Sequence, residues 1–398
     1  YRSLVSAHHR QDVTAVIPRI EDIVSVLPLP LPSPSSSRWQ WHGASLNSNS
    51  TAIYCIPSNA HSVLKVHLSK SQTSYLPIHT SSQQLMEKEE NNDEDEKENQ
   101  ELQHLIHEQT NKWYGGILGL DDAIYGIPYA ASGVLRIDTG TDYAEMLHGV
   151  APDNSNENSK GTLLEKSEEH GWKQYNWHGG VLSPLNGCIY AFPAHSACVL
   201  KINTNPKGMQ EEKSGGERSN HEWRLSLLPI HHQTPPAINR YKWLGGSIGQ
   251  DGNIYGMPSD ATSILHIDTA RNVATTFGVV SDIKNKWQGG VLGNDGFIYA
   301  IPSDARDVLC IDTRSITAKK EEEEVKDDGI SFLSSDRVSY LGDSMLPKTK
   351  DKWQGGFMGL DGIIYGIPEN EGWILKVIPS VDGEKDEDGG KVPALEKM

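Results

Sequence analysis

Only four cysteines occur in 398 residues, and no two of them form a C-x-x-C pair, so neither a disulfide framework nor a thiolate metal site is legible. Cys55, Cys188, Cys198 and Cys310 each fall inside an apolar, strand-like run. They read as buried thiols of a protein from a reducing compartment, with the cytoplasm as the expected location. Long hydrophobic runs are missing too. No stretch approaches the roughly 18 apolar residues of a membrane span, and the start, Tyr1-Arg2-Ser3-Leu4, has no signal-peptide core. Positive charge is scarce, with 36 Lys and Arg against 53 Asp and Glu and a net charge of -17. Without a basic stripe to release phosphate counterions, nucleic acid is excluded as an expected partner. Residues 87–108, 319–328 and 382–398 together carry -14 of that charge, so the remainder of the chain is nearly neutral. There is no G-x-S-x-G elbow, no phosphate-binding Gly-rich loop before a helix and no H-E-x-x-H. No catalytic residue is therefore assigned.

What is present is a repeat. A unit reading W-x-G-G-x-x-x-x-D-G-x-I-Y-x-I-P-x-x-A-x-x-V-L-x-I-D-T occurs six times, most regularly at 113–139, 243–269 and 287–313, and more loosely at 177–204, 353–379 and 41–68. Trp precedes the motif Pro by 15 or 16 residues in every copy, whereas successive Trp residues lie 44 to 72 apart. The variation lies outside the unit. In the copy at Trp243, residues 245–249 predict one strand, Asp251-Gly252 a hairpin turn, 254–257 a second strand, Pro258 to Ala261 a turn, 264–267 a third strand and 273–277 a fourth. Four short antiparallel strands in a minimal period of 44 residues match one blade of a β-propeller.

The expected fold is therefore all-β, a propeller of four-stranded blades with six blades and with acidic, disordered loop insertions at about 81–109, 153–170, 205–220 and 319–328. One domain is expected over 1–380, followed by an acidic disordered tail over 381–398. The last copy shows no fourth strand of its own, and Ile23 to Leu27 is an unassigned β-run. Pairing the two would close the ring and remove both sheet edges. Val13 to Arg19 resembles a third strand, which makes seven blades the alternative.

These repeats resemble the W-x-G-G…D-G-x-I-Y-x-x-P repeat proteins of algae and protists, a likeness that covers nearly the whole chain outside the insertions. It implies a propeller and carries no function. The D-G-x-I-Y hairpin is also similar to that of NHL-type and gluconolactonase-like propellers, over one turn.

In a propeller the connections between blades and those between second and third strands share one face. The W-x-G-G and P-x-x-A segments should then surround one mouth of the central channel. Two residues after the motif Pro stand Asn59, Ala130, His195, Asp260, Asp304 and Asn370. These form a polar ring able to bind a hydroxylated ligand or a hard cation such as Ca²⁺, although turn chemistry alone also favours Asp and Asn there. His42 and His178 follow the motif Trp in two copies and could act as ligands or proton carriers. An exposed strand start explains them equally. The middle of the third strand carries Lys65, Arg136, Lys201, His266, Cys310 and Lys376, with local pairing to Asp138, Asp268 or Asp312 as the simplest role. The Trp residues read as wedges between blades. The sequence thus points to a monomeric, non-enzymatic binding or scaffold propeller for a protein partner or small ligand, with no obligate cofactor. A metal-dependent lactonase-like hydrolase using Asp260, Asp304, Asn59 and Asn370, and a carbohydrate binder using exposed Trp rings, are the alternatives.

Overall fold

A computed structural model describes residues 27, 29, 38–80, 109–150, 161–162, 175–205, 224–233, 240–314, 324–325, 330–342, 346–379 and 394–397. The insertions expected at 81–109, 153–170, 205–220 and 319–328 lie almost wholly outside them, as do Val13 to Arg19 and Ile23 to Val26. The described residues build an all-β propeller in which each repeat forms one four-stranded antiparallel sheet, strands a to d running outward from the channel. Repeat 1 comprises Trp41–Leu46, Ala52–Pro57, Ser62–His67 and Gln72–Thr80. Repeat 2 comprises Trp113–Leu118, Ala123–Pro128, Val134–Asp138 and Tyr143–Leu147. Repeat 3 runs through Trp177–Leu182, Cys188–Pro193, Cys198–Asn203 and Leu225–His231. Repeat 4 has Trp243–Ile248, Ile254–Pro258, Ile264–Asp268 and Val273–Phe277. Repeat 5 has Trp287–Leu292, Phe297–Pro302, Val308–Asp312 and Val338–Leu341. Repeat 6 has Trp353–Met358, Ile364–Pro368, Leu375–Ile378 and Ala394–Lys397. The outer strands of repeats 1 and 2, and of repeats 3 and 4, also pair with each other in parallel, which covers those edges.

The last sheet corrects the expected closure. Its fourth strand is Ala394–Lys397, from the segment read as a disordered tail, and not Ile23 to Leu27. The register places Glu396 opposite Lys376 and Leu395 opposite Val377. Four residues in an acidic stretch suffice once a waiting strand sets their partners.

The repeat's consensus residues each have a structural cause. In every copy strand a carries a register shift between the motif Trp and the second motif position after x. This is a β-bulge, and its first glycine adopts the left-handed conformation, as in Gly115 with φ 75°. The second glycine is fixed by space. A Cβ on Gly246 would come within 2.5 Å of Phe192 in the preceding sheet. Each motif Trp turns its indole N–H back to the carbonyl that opens its own strand c, as Trp243 Nε1 does to Ser263 O at 2.9 Å. Except for the half-buried Trp41, its ring lies in the core of the sheet before: Trp113 with Ile56 and Val63, and Trp353 with Ile301 and Val308. The motif Asp and Tyr, four residues apart, form a closed unit in which Asp251 accepts from Asn253 N at 3.0 Å and from Tyr255 Oη at 2.7 Å.

A lysine precedes the Trp in four repeats. Lys112, Lys242, Lys286 and Lys352 are buried, and their Nζ atoms donate to main-chain carbonyls; Lys242, for example, reaches Ala194 O at 3.3 Å and Ser196 O at 2.9 Å in the preceding repeat. The main-chain N–H of Lys242 donates to Ala194 O as well, at 2.9 Å. Burial pushes the Lys242 amine down to about 7.

The packing of one sheet on the next runs from repeat 1 through repeat 6 but is not matched between repeat 6 and repeat 1 among the described residues. Ile56, Ile127, Phe192, Met257 and Ile301 are buried, whereas their counterpart Ile367 is 44% exposed and Phe357 72%. On the other side of the seam Gly43 and Ala44 are exposed, and Ala44 stands where the other five repeats carry the space-limited glycine.

Two outcomes test this account. Lys242→Met leaves the carbonyl of Ser196 without its donor, while Ala194 O keeps the main-chain N–H of residue 242, and is expected to lower unfolding free energy by about 1–3 kcal/mol in denaturant titration. Ile301→Ala should cost about 2–5 kcal/mol and Ile367→Ala below about 1 kcal/mol; equal losses would mean that the seam is packed in solution.

Candidate functional site at the channel mouth

Three positions of each repeat meet at one mouth of the channel. The first follows the motif Trp and carries His42, Tyr114, His178, Leu244, Gln288 and Gln354. The second lies two residues before the Trp, with Trp39, Asn111, Tyr175, Tyr241, Asn285 and Asp351. The third is the turn after the motif Pro, where the sequence drew attention to Asn59, Ala130, His195, Asp260, Asp304 and Asn370. The channel itself, about 300 Å³, is lined by His178, Leu244, Gln288, Gln354 and the motif glycines of repeats 3 to 6.

The turn residues stitch neighbouring repeats together. Asn59 Oδ1 accepts from Asn111 N at 2.7 Å, Asp260 Oδ1 from Asn285 N at 2.7 Å, and Asp304 Oδ1 from Asp351 N at 2.8 Å. Each oxygen thereby satisfies the residue two before the next Trp, which is held at positive φ (55°, 53° and 49° respectively). Asn370 is exposed on the open side of the ring and its main-chain N–H donates to Asp351 O. Among the described residues no group of three His, Cys, Asp or Glu is placed to hold a metal ion. The four cysteines are free thiols, three of them buried and Cys55 half-buried.

The mouth has two unlike halves. Over repeats 4 to 6 it is a chain of amides and carboxylates: Gln354 Nε2 donates to Gln288 Oε1 at 3.3 Å, Gln288 Nε2 to Asn285 Oδ1 at 2.7 Å, and Asn285 Nδ2 to Asp351 Oδ1 at 2.5 Å. Charge is concentrated there. Burial and the neighbouring Asp351 carboxylate raise the Glu369 carboxyl above its ordinary range. Over repeats 1 to 4 the mouth is an arc of rings. His42 stacks on Tyr114 at 3.7 Å between centroids, Tyr114 lies 4.6 Å from Tyr129 and 4.8 Å from His178, Tyr129 is 4.6 Å from Tyr175, and His195 is 4.6 Å from Tyr241. His42 and His178, two repeats apart in sequence, thus share the tyrosine between them. Burial, joined by the nearby His42, pushes His178 down to about 4. Burial lowers His42 as well. Both imidazoles are neutral at pH 7.

Sequence reasoning found His42, His178 and His195 but missed Tyr114, Tyr129, Tyr175 and Tyr241 as parts of one surface. The signal was in the column two before the Trp. That residue must be left-handed, a conformation Asn and Asp tolerate and bulky residues resist. Three repeats carry Asn or Asp there. Tyr175 at φ 62°, Tyr241 at φ 45° and Trp39 at φ 62° do not follow that preference. The motif tryptophans are a different matter. Trp113, Trp177, Trp243, Trp287 and Trp353 are at most 2% exposed, which removes the stacking platform that the carbohydrate reading required of them.

No family model matches the sequence, and no curated protein matches it. Solved structures similar to this fold include virginiamycin B lyase from Staphylococcus aureus, at 10% identity and a TM-score of 0.49 over 92% of this chain and 86% of that one. A putative 6-phosphogluconolactonase from Bacteroides uniformis shares 10% identity, with a TM-score of 0.44 over 94% and 86%. The β-propeller domain of Myceliophteria thermophila Cps50 (Swd1) shares 8%, with a TM-score of 0.44 over 89% and 85%. Among the described residues no helix is long and apolar enough to cross a membrane.

The buried imidazoles set an acid limit. Between the folded value of about 4 for His178 and the ordinary 6.5, the unfolded chain binds more protons than the folded one. Stability is therefore complete above pH 6.5 and falls as pH drops toward 4, by up to about 1.4 kcal/mol per pH unit for each such histidine. His178→Gln, which installs the residue found in repeats 5 and 6, should flatten the decline of Tm over that window.

Proposed function

We propose that this propeller is a non-enzymatic binding module that receives a segment of a partner protein at the ring-lined mouth. The observation that carries this reading is the placement of Tyr175 and Tyr241 in a left-handed position where sibling repeats use Asn or Asp. Holding a bulky residue there costs on the order of 1 kcal/mol, and such strain persists where function maintains it. Four tyrosines within ring contact of one another, partly open to solvent, supply the rigid amphipathic area typical of interface hot spots. Facing them, Asp304, Asp351 and Glu369 give the other half of the mouth a negative potential. A segment that presents a Lys or Arg next to an apolar side chain satisfies both halves, the cation toward the carboxylates and over a tyrosine face, the apolar group on the rings.

The test is selection of a random displayed peptide library on the immobilised full chain, followed by affinity measurement on the winners. Peptides enriched in Lys or Arg beside an apolar residue are expected. Their affinity should fall at least tenfold in the double variant Tyr175→Asn/Tyr241→Asn. That same variant should unfold at an equal or higher temperature, because it relieves the strained backbone. Peptides of no common charge, or undiminished binding by the variant, would overturn the reading.

A further inference from the structure

On the face opposite the mouth, the third-strand column read as a basic site loses its cation in two repeats, to His266 in repeat 4 and to Cys310 in repeat 5. Lys65 reaches the next sheet, with both oxygens of Asp142 at 2.6 Å from its Nζ. Lys201 does the same with Asn272 Oδ1 at 2.8 Å. Arg136 lies between Glu145, its cross-strand partner, at 3.2 Å and Asp121 at 3.4 Å, with Asp138 at 3.6 Å. The partners of the two lysines thus come from the following repeat, whereas Arg136 lies near its local aspartate, Asp138, as expected. In repeat 4 the cation is replaced by His266, and the position of Glu145 is taken by Thr275. Relative to repeat 2, two long, ion-paired side chains are replaced by two short ones; the cross-strand position is likewise short, Ser74, Ser226 and Ser339, in repeats 1, 3 and 5.

Space opens at this edge of the sheet, as it does at the equivalent edge of repeat 3, where Lys201 is kept beside a pocket of about 500 Å³. A pocket of about 450 Å³ opens between repeats 4 and 5, with His266, Thr275, Asn253 and Asp268 on one side and Phe332 and Leu333 on the other. That volume and that mixture, an apolar wall with a few polar groups, are those of small-molecule sites. His266 is only 7% exposed. Its Nδ1 lies 3.3 Å from Thr275 Oγ1, while its Nε2 is buried and has no hydrogen-bond partner among the described residues. A buried polar atom of this kind calls for a partner from outside the chain. Burial pushes the imidazole down to about 4, so at pH 7 it offers a dipole and not a charge. At the rim, Arg271 faces Asp268 at 3.7 Å, and the pair leaves little net charge.

We propose that this pocket binds a small, neutral, amphipathic molecule, its hydrogen-bonding head on His266 Nε2 and Thr275 and its apolar body against Phe332 and Leu333. The site is separate from the mouth and does not depend on the partner reading. It is tested on the full chain by calorimetric titration with benzamide and benzyl alcohol as neutral probes and benzoate as the charged counterpart. Saturable binding of a neutral probe is expected with Kd of about 1 mM or tighter, and benzoate should bind at least tenfold more weakly. His266→Arg/Thr275→Glu, which rebuilds the Arg136–Glu145 pair, should abolish binding while leaving Tm within a few degrees. His266→Lys, the residue of repeats 1 and 3, is the second variant should the first fail to fold. Absence of saturable binding of both neutral probes to the wild-type chain, benzoate bound as tightly as they are, or undiminished binding by a folded variant would overturn the proposal.

Discussion

The bulge at the start of every inner strand is the constraint on which the rest of the molecule rests. Its left-handed glycine lets strand a turn at the channel, the second glycine lets that strand lie against the preceding sheet, and the Trp before them fills the core of that sheet. A side chain at the first glycine would strain the backbone, and one at the second would meet the neighbouring sheet. Because each wedge enters the sheet before it, stability is passed from repeat to repeat, and no sheet is complete without the next. The seam between repeats 6 and 1 shows the same rule from the other side. Among the described residues no Trp enters that face, and Phe357 and Ile367 are exposed; no sheet among them presses on the first strand a, and there alanine replaces glycine.

Polar groups follow the same neighbour-to-neighbour logic. Buried lysines before the Trp are held by carbonyls, in repeat 4 by those of the preceding repeat, and turn residues such as Asp260 hold the main chain of the repeat that follows. Most positions that look chemically promising in the sequence are therefore occupied in joining sheets. The two places where the molecule departs from this economy are the tyrosine arc, which carries strained backbone where Asn or Asp would do, and the pocket at His266, which has a buried imidazole where three repeats carry lysine. Neither departure improves the packing of its own repeat, and this is the physical reason for reading both as sites.

Much of the architecture was legible because it is local. Strand d of repeat 4 was predicted at Val273 to Phe277 and lies there, and the Asp251-Gly252 turn and the wedging of Trp between sheets also follow from residue type and spacing. The fourth strand of repeat 6 was not legible, since Ala394–Lys397 carries no strand signal strong enough to stand alone and becomes a strand only opposite Leu375–Ile378. His42 and His178 were visible as a pair of departures, but their convergence on Tyr114 depends on the rotation from one blade to the next, which no spacing within the sequence encodes.

The sequence by itself determined the unit, its four strands, its turns and the wedge that joins it to its neighbour, because hydrophobic period, glycine conformational freedom and proline geometry all act within some thirty residues of chain. Only the tertiary structure decided which residues from separate repeats share a surface, which cations are matched across sheets, and which faces the described residues leave exposed. Those outcomes depend on the placement of whole sheets around the channel, and that placement is set by packing summed over many residues rather than by any local pattern.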